Sequence, residues 1–233
     1  MSTPRGHNLA IETSGRAGAI ALGRGDTLIA ERDLGEHQRH NVALVAGLAA
    51  LCRAHDVAPA DVAELYLSIG PGSFTGLRVA VAAAKMLTLA HNTRLVAVPT
   101  LDALALNAPA DVDRVAVGLN LKRDRLWSRV YERHGEAMTP LAPPALRTIN
   151  ELIELADMPR LALLGDPLPA LDAAVQDRVD ALPVELARVR AAAVWRLGRA
   201  LAQAGGFADA ATLAPLYARE PEAMTKWRAL HGT

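Results

Sequence analysis

Gly70, Gly72, Ser73, Thr75 and Gly76 stand together in the stretch GPGSFTGLR, between the apolar run ELYLSI and the segment VAVAAAKMLTLAH. Glycines at the join of a strand and a helix let backbone N–H groups approach a ligand closely. A serine or threonine there caps the helix, and the helix N-terminus favours an anion. The pattern suits a phosphate cradle, but a tight turn with a cap is the commoner reading of such residues; by themselves they leave both open. Three sharper chemistries fail. The loop has no Gly-Lys-Ser/Thr, so it is not a P-loop. Its glycines are spaced G-x-G-x-x-x-G, with no acidic residue closing a strand about 20 residues on, which weakens a dinucleotide reading. Ser73 has Pro71 and Thr75 where a nucleophile elbow needs glycines.

Other residues invite a site and support it less well. His37 and His40, and Cys52 and His55, form two short-spaced pairs. The helical residues between His40 and His55 span roughly 22 Å, so the pairs cannot share one metal, and neither alone supplies a structural zinc set. A cap or a partner contact suits His37 and His40 better. Lys122, Arg123, Arg125 and Arg129 surround Trp127, the parts of an RNA-contacting surface. Lys plus Arg number 25 against 25 Asp plus Glu, so the chain has no net field to gather nucleic acid, and a strand with solvated charges and a buried Leu126 is the better reading. Arg188, Arg190, Arg196 and Arg199 read as a solvated helix face, and Trp195 as core.

The elements that must position these residues follow from periodicity. At 233 residues, 51% apolar and only 3% aromatic, the chain can bury a large aliphatic core. One cysteine, Cys52, excludes an internal disulfide and suits a reducing cytosol. The absence of a leader-like N-terminus or an apolar run of roughly 18 residues leads to the expectation of a soluble, cytoplasmic protein. Asn8–Thr13, Gly18–Gly23 and Thr27–Asp33 read as three antiparallel strands. Leu44, Val45, Leu48, Leu51 and Cys52 give a helix over 40–55. ELYLSIG is a strand, Gly76–His91 a helix, RLVAVP a strand and TLDALAL a short helix. DRVAVGLN, RLWSRVYE and RLALLGD are strands, NELIELA is a helix, 138–146 an irregular connection, and 187–204 a long helix closed by Gly205 and Gly206. In the second helix VAVAAA is apolar on both faces, which predicts burial all round: one face on the sheet, the other on a second helix or another protein.

LAIETS, the His and Asn opening the first long helix, SIGPGSFTGLRVAVAAAKMLTLA, LVAVPTLDALA and the late APLYARE together resemble the TsaB (YeaZ) family. The likeness runs nearly unbroken through the first half and returns in part near the C-terminal end. It implies an α/β fold of the actin, sugar-kinase and Hsp70 (ASKHA) type. Two lobes are expected on mixed β-sheets flanked by helices: 1–105, and a reduced 106–233 whose last segment returns toward the first. It implies a non-catalytic scaffold and activator in bacterial synthesis of threonylcarbamoyladenosine in tRNA. Such a subunit pairs with the catalytic paralogue TsaD, acts with the ATPase TsaE, forms a homodimer without TsaD, and meets tRNA only through the complex, with no membrane partner.

The resemblance places partner contacts on the two long helices, here His40, Leu44, Val45, Leu48, Arg78, Val81, Lys85 and Leu89. The resemblance fixes no cofactor. A weakly held ATP or ADP at the lobe or subunit interface would meet Gly70, Gly72, Ser73, Thr75 and Gly76 with Glu12, Thr13 and Ser14. Glu12 stands where relatives usually carry Asp, so no fixed nucleotide geometry carries over. The catalytic paralogue's His-x-x-x-His metal pair falls on Thr100 and Leu104, neither a substitute for imidazole. The rival readings are a small sugar or acyl kinase, or an ATPase, of the same superfamily, and a peptidase, for which no nucleophile with a base is found.

Overall fold

The computed structural model describes residues 6–35, 40–120, 125–155, 160–166, 179–218 and 227. Strands β1 (His7–Glu12), β2 (Gly18–Arg24) and β3 (Thr27–Gly35) pair antiparallel, as their apolar runs and glycine breaks predict. Strands β4 (Val62–Gly70) and β5 (Arg94–Pro99) join parallel to β1, giving the order β3-β2-β1-β4-β5. Helix α1 (His40–Ala54) lies between β3 and β4 in the chain, and α2 (Phe74–His91) makes the crossover from β4 to β5.

Because successive side chains alternate across a strand, the sheet has two cores. Leu9, Ile11, Ile20, Leu22, Leu65 and Leu67 face α1 and α2, meeting Leu44, Leu48, Ala80, Val81 and Ala84. Ala10, Ala19, Ala21, Tyr66, Val96 and Val98 face the other way, toward α3 (Thr100–Ala105) and a helix from late in the chain, α5 (Ala191–Gln203). Trp195 is core, as expected, and its indole N–H donates to Asn8 Oδ1 at 2.5 Å.

The second sheet has the order β11-β10-β6-β7-β8, with β9 also on β7. Its strands are β6 (Arg114–Asn120), β7 (Arg125–His134), β8 (Ala137–Pro140), β9 (Ala145–Thr148), β10 (Leu161–Gly165) and β11 (Asp180–Ala181), with α4 (Ile149–Glu154) after β9. The mixed sheets with flanking helices are those of the expected two-lobed fold class.

Three local expectations are corrected. The stretch 138–146 is not wholly irregular: β8 and β9 lie in and beside it, with Pro140 closing β8 and Pro143 and Pro144 confined to the connection, where no ladder N–H is needed. The long helix starts at Ala191, not 187, after a 3₁₀ turn over Val184–Ala187. Arg188 and Arg190 therefore precede it; both are exposed, as expected, and they pair with Asp33 at 2.5 Å and Glu31 at 2.7 Å on β3, while Arg199 pairs with Asp26. Arg129 likewise pairs with Asp102 of α3 at 3.0 Å and lies over the Tyr131 ring, although Leu126 is buried as expected.

After α5 the chain runs back along the first sheet. Ala208 N–H donates to Leu95 O at 2.8 Å, Leu213 enters the core under α1 and α2, and Leu216 N–H donates to Ile69 O at 2.6 Å. Among the described residues no helix is long and apolar enough to cross a membrane.

Candidate functional site

The loop between β4 and α2 sits at the carboxyl end of the first sheet, beside the turn that follows β1. Ser73 is the N-cap of α2, its hydroxyl accepting the Gly76 N–H at 3.3 Å, so the helix begins at Phe74, two residues earlier than expected. Ser73 N–H donates to Ser14 O at 2.7 Å, and the Thr13 hydroxyl donates to Gly76 O at 2.9 Å. A Cβ on Gly72 would come within 2.5 Å of Ser14 O, and one on Gly76 within 2.1 Å of Thr13 O. These glycines are therefore needed for the chain's own backbone to approach itself. Gly70, at φ 115, lies under the Leu216 carbonyl of the returning segment. Of the expected cradle, Gly70, Gly72, Ser73 and Gly76 are brought together with Thr13 and Ser14; Thr75 is exposed on the first turn of α2 and takes no part.

Glu12 closes β1 at 1% exposure. Its Oε1 accepts the Ser14 N–H at 2.6 Å and the Ser14 hydroxyl at 2.5 Å, while Oε2 makes no hydrogen bond. Burial pushes the carboxyl above its usual range. The Ser14 hydroxyl opposes this most strongly, with smaller help from a nearby Ser68 hydroxyl that makes no hydrogen bond of normal geometry. Thr100 and Leu104, which the resemblance sets against the paralogue's metal pair, are both buried, Leu104 completely within the core. Among the described residues no cluster of three His, Cys, Asp or Glu could hold a metal.

The helices divide differently from the expectation. Leu44, Leu48 and Val81 are interior side chains packed under the sheet, so they do not present themselves to a partner, and Val45, expected in the buried stripe, points outward at 62% exposure. Lys85 is half-buried, its Nζ donating to Ala211 O at 3.2 Å. His40 opens α1, and His37, Lys122 and Arg123 lie outside the described residues.

Helix α2 is not buried all round. Leu77, Ala80, Val81 and Ala84 face inward, whereas Phe74, Arg78, Ala82, Met86 and Leu89 form one open stripe, with Met86 65% and Leu89 80% exposed. At its N-terminal end Arg78 lies 5.0 Å over the Phe74 ring, whose centroid is 5.2 Å from that of Tyr217. Phe74, Met86 and Tyr217 escaped the sequence reading. The signal was present in the i, i+4 spacing of 74, 78, 82 and 86 with a charged Arg78 within it.

Fold and site thus define a two-lobed, actin-like α/β protein whose glycine loop is closed on itself and whose second helix keeps an open apolar face. A family model for TsaD, the tRNA N6-adenosine threonylcarbamoyltransferase, matches residues 35–227. The tRNA threonylcarbamoyladenosine biosynthesis protein TsaB of Bacillus subtilis (strain 168) is 30% identical over 161 residues, which cover 68% of this chain and 70% of that protein. Two solved structures share the fold. YeaZ from Pseudomonas aeruginosa superposes with a TM-score of 0.75 at 23% identity over 91% of this chain and 99% of its own. A protein described as similar to peptidase YEAZ from the same organism gives a TM-score of 0.77 at 22% identity, over 92% and 100%. The chain belongs to the TsaB (YeaZ) family.

Proposed function

We propose that this chain, tied by its family to the biosynthesis of threonylcarbamoyladenosine in tRNA, is a non-catalytic scaffold and activator that docks on the catalytic subunit TsaD through the outer face of α2. What supports the reading is the exposed apolar stripe of Phe74, Met86 and Leu89, with Val45 of α1 exposed as well. Contiguous exposed apolar surface marks an interaction site, and an aromatic pair beside an arginine has the composition of an interface anchor. The inward side chains Leu44, Leu48 and Val81 brace that face from beneath rather than touching the partner. Binding energy spent on one conformation of the partner is enough to activate it, with no chemistry in this chain. The buried Leu104 and the lone hydroxyl of Thr100 fit that division of labour.

Acting with TsaE, the pair modifies tRNA, which this chain meets through the complex. Without TsaD the same stripe joins two copies of the chain. The loop of Gly70 to Gly76 serves as a strut that fixes the N-terminus of α2. The test is mass-spectrometric quantification of threonylcarbamoyladenosine in unmodified tRNA incubated with TsaD, TsaE, threonylcarbamoyl-AMP and ATP, with and without this chain. Product only in its presence is expected; equal product without it would overturn the reading.

A further inference from the structure

The opposite end of the first sheet holds a second feature, apart from the loop and from α2. A pocket of about 220 Å³ opens at the amino ends of β1, β4 and β5, closed by the β2–β3 turn, the last turn of α5 and Phe207. That volume is below the roughly 300–1,000 Å³ of drug-sized sites, so its occupant is small. Its acceptors are already engaged. Glu64 takes the Tyr66 hydroxyl on Oε2 at 2.5 Å and Arg94 Nη2 on Oε1, and Asp26 takes Arg199 Nη1.

Its donors are not. Arg94 uses one terminal nitrogen on Glu64 and rests 4.1 Å over the Phe207 ring, while Arg199 directs only Nη1 to Asp26 and Gly25 O. Each guanidinium carries five N–H groups, so both keep N–H groups in hand. His7 Nδ1 in the same wall is covered and without a hydrogen-bond partner. Between these polar groups the accessible apolar lining is Phe207, Ala63 and Ala202, with the fully buried Tyr66 behind them.

We propose that this pocket is a binding site for a small monocarboxylic acid with a flat or short apolar body, its carboxylate taken by the unspent N–H groups of Arg94 and Arg199 and its body laid against Phe207, Ala63 and Ala202. A planar guanidinium fork matches a carboxylate. A phosphate fits less well: the two arginines are balanced by Glu64 and Asp26, and a doubly charged anion would meet both carboxylates at short range. A neutral amide has the shape but not the charge.

The probe is sodium benzoate added to the full ¹⁵N-labelled chain, read by NMR at the arginine Nε–H and Gln203 side-chain amide signals, with benzamide and inorganic phosphate as controls. A saturable shift confined to this pocket is expected for benzoate, with neither control saturating. Replacing Phe207, which is half-exposed, in Phe207→Ala removes the apolar wall without opening the core, and Arg199→Lys removes the fork while keeping the charge. Each is expected to weaken benzoate roughly tenfold, the worth of one charge-assisted hydrogen bond or its equivalent in contact area. Should Arg199→Lys disturb packing on Trp195, its melting temperature will report it, and Phe207→Ala carries the test alone. Non-saturating shifts, equal binding of benzamide, or unchanged affinity in a folded Phe207→Ala would overturn the proposal.

Discussion

Helix α2 offers two regions of opposite character within one element. At its N-terminus the glycine loop, the most recognisable signature in the sequence, is turned inward: Ser73 and Gly76 are hydrogen-bonded to the turn after β1, and two glycines are needed because backbone lies against them. Along its outer face Arg78, Met86 and Leu89, which lie beyond the glycines of that loop, meet solvent. The contrast teaches that a glycine-rich motif can record internal contact as readily as ligand contact. A surface suited to docking shows instead in where apolar side chains remain uncovered once the core is filled.

That comparison is broken most directly at Gly76. If the loop is closed on β1, Gly76→Ala should cost on the order of 3 kcal/mol through overpacking, lowering the melting temperature by roughly 6–12 °C in a domain of this size. A change under 1 °C would reopen the space for a ligand. On the inward side of the helix Val81→Arg should be comparably damaging, since it buries an unpaired charge. On the outward side Leu89→Glu should leave stability within about 0.5 kcal/mol, yet weaken binding to TsaD at least about tenfold, as loss of an interface anchor does. Pull-down at unchanged strength from a folded Leu89→Glu would remove the stripe from the interface.

Glu12 sharpens the inward half. Its folded pKa is raised by burial above the unfolded value of about 4.3. Its contribution is therefore fully favourable below about pH 4 and is lost as the pH rises through the folded value. Glu12→Gln keeps an acceptor for Ser14 and needs no ionisation. It should match the wild type in thermal melts near pH 4 and exceed it near pH 8; the reverse order would show an ionised, stabilised carboxylate. The smallest effect is expected at the partly exposed ion pair of Arg188 with Asp33: Arg188→Gln should cost less than about 1 kcal/mol, and less still in high salt.

Much of this architecture is legible in the residues. The three N-terminal strands and the β4–α2–β5 crossover follow from apolar runs bounded by glycine, because local pattern and tertiary role agree there. Where they part, the reading fails. Leu44 and Val45 are adjacent apolar residues on one helix, yet one is at 0% exposure and the other at 62%; a helical stripe has an edge that periodicity alone does not locate. The start of α5 lies later than its residues indicate because Ala187, Arg188 and Arg190 are of types that favour helix, whereas Arg188 is extended and the Leu186 and Arg188 carbonyls accept from Asn107 Nδ2 instead of from the helix. The closure of the glycine loop was invisible because its partner, Ser14, is distant in sequence, and hydrogen bonds of that range leave no local mark.

The late return of the chain has a consequence for how the protein is made. The face of the first sheet built on Ala10, Ala21, Tyr66 and Val98 is covered by α5, and the rim of the same sheet by Ala208 to Leu216. A ribosome delivers the strands of that sheet long before it delivers their cover. The first lobe therefore cannot finish folding in the order of synthesis, and must hold an unroofed apolar face until residues 191–216 have emerged. Contacts of such long sequence separation slow folding and expose the nascent chain to aggregation. Cutting the chain after residue 105 would make that transient exposure permanent.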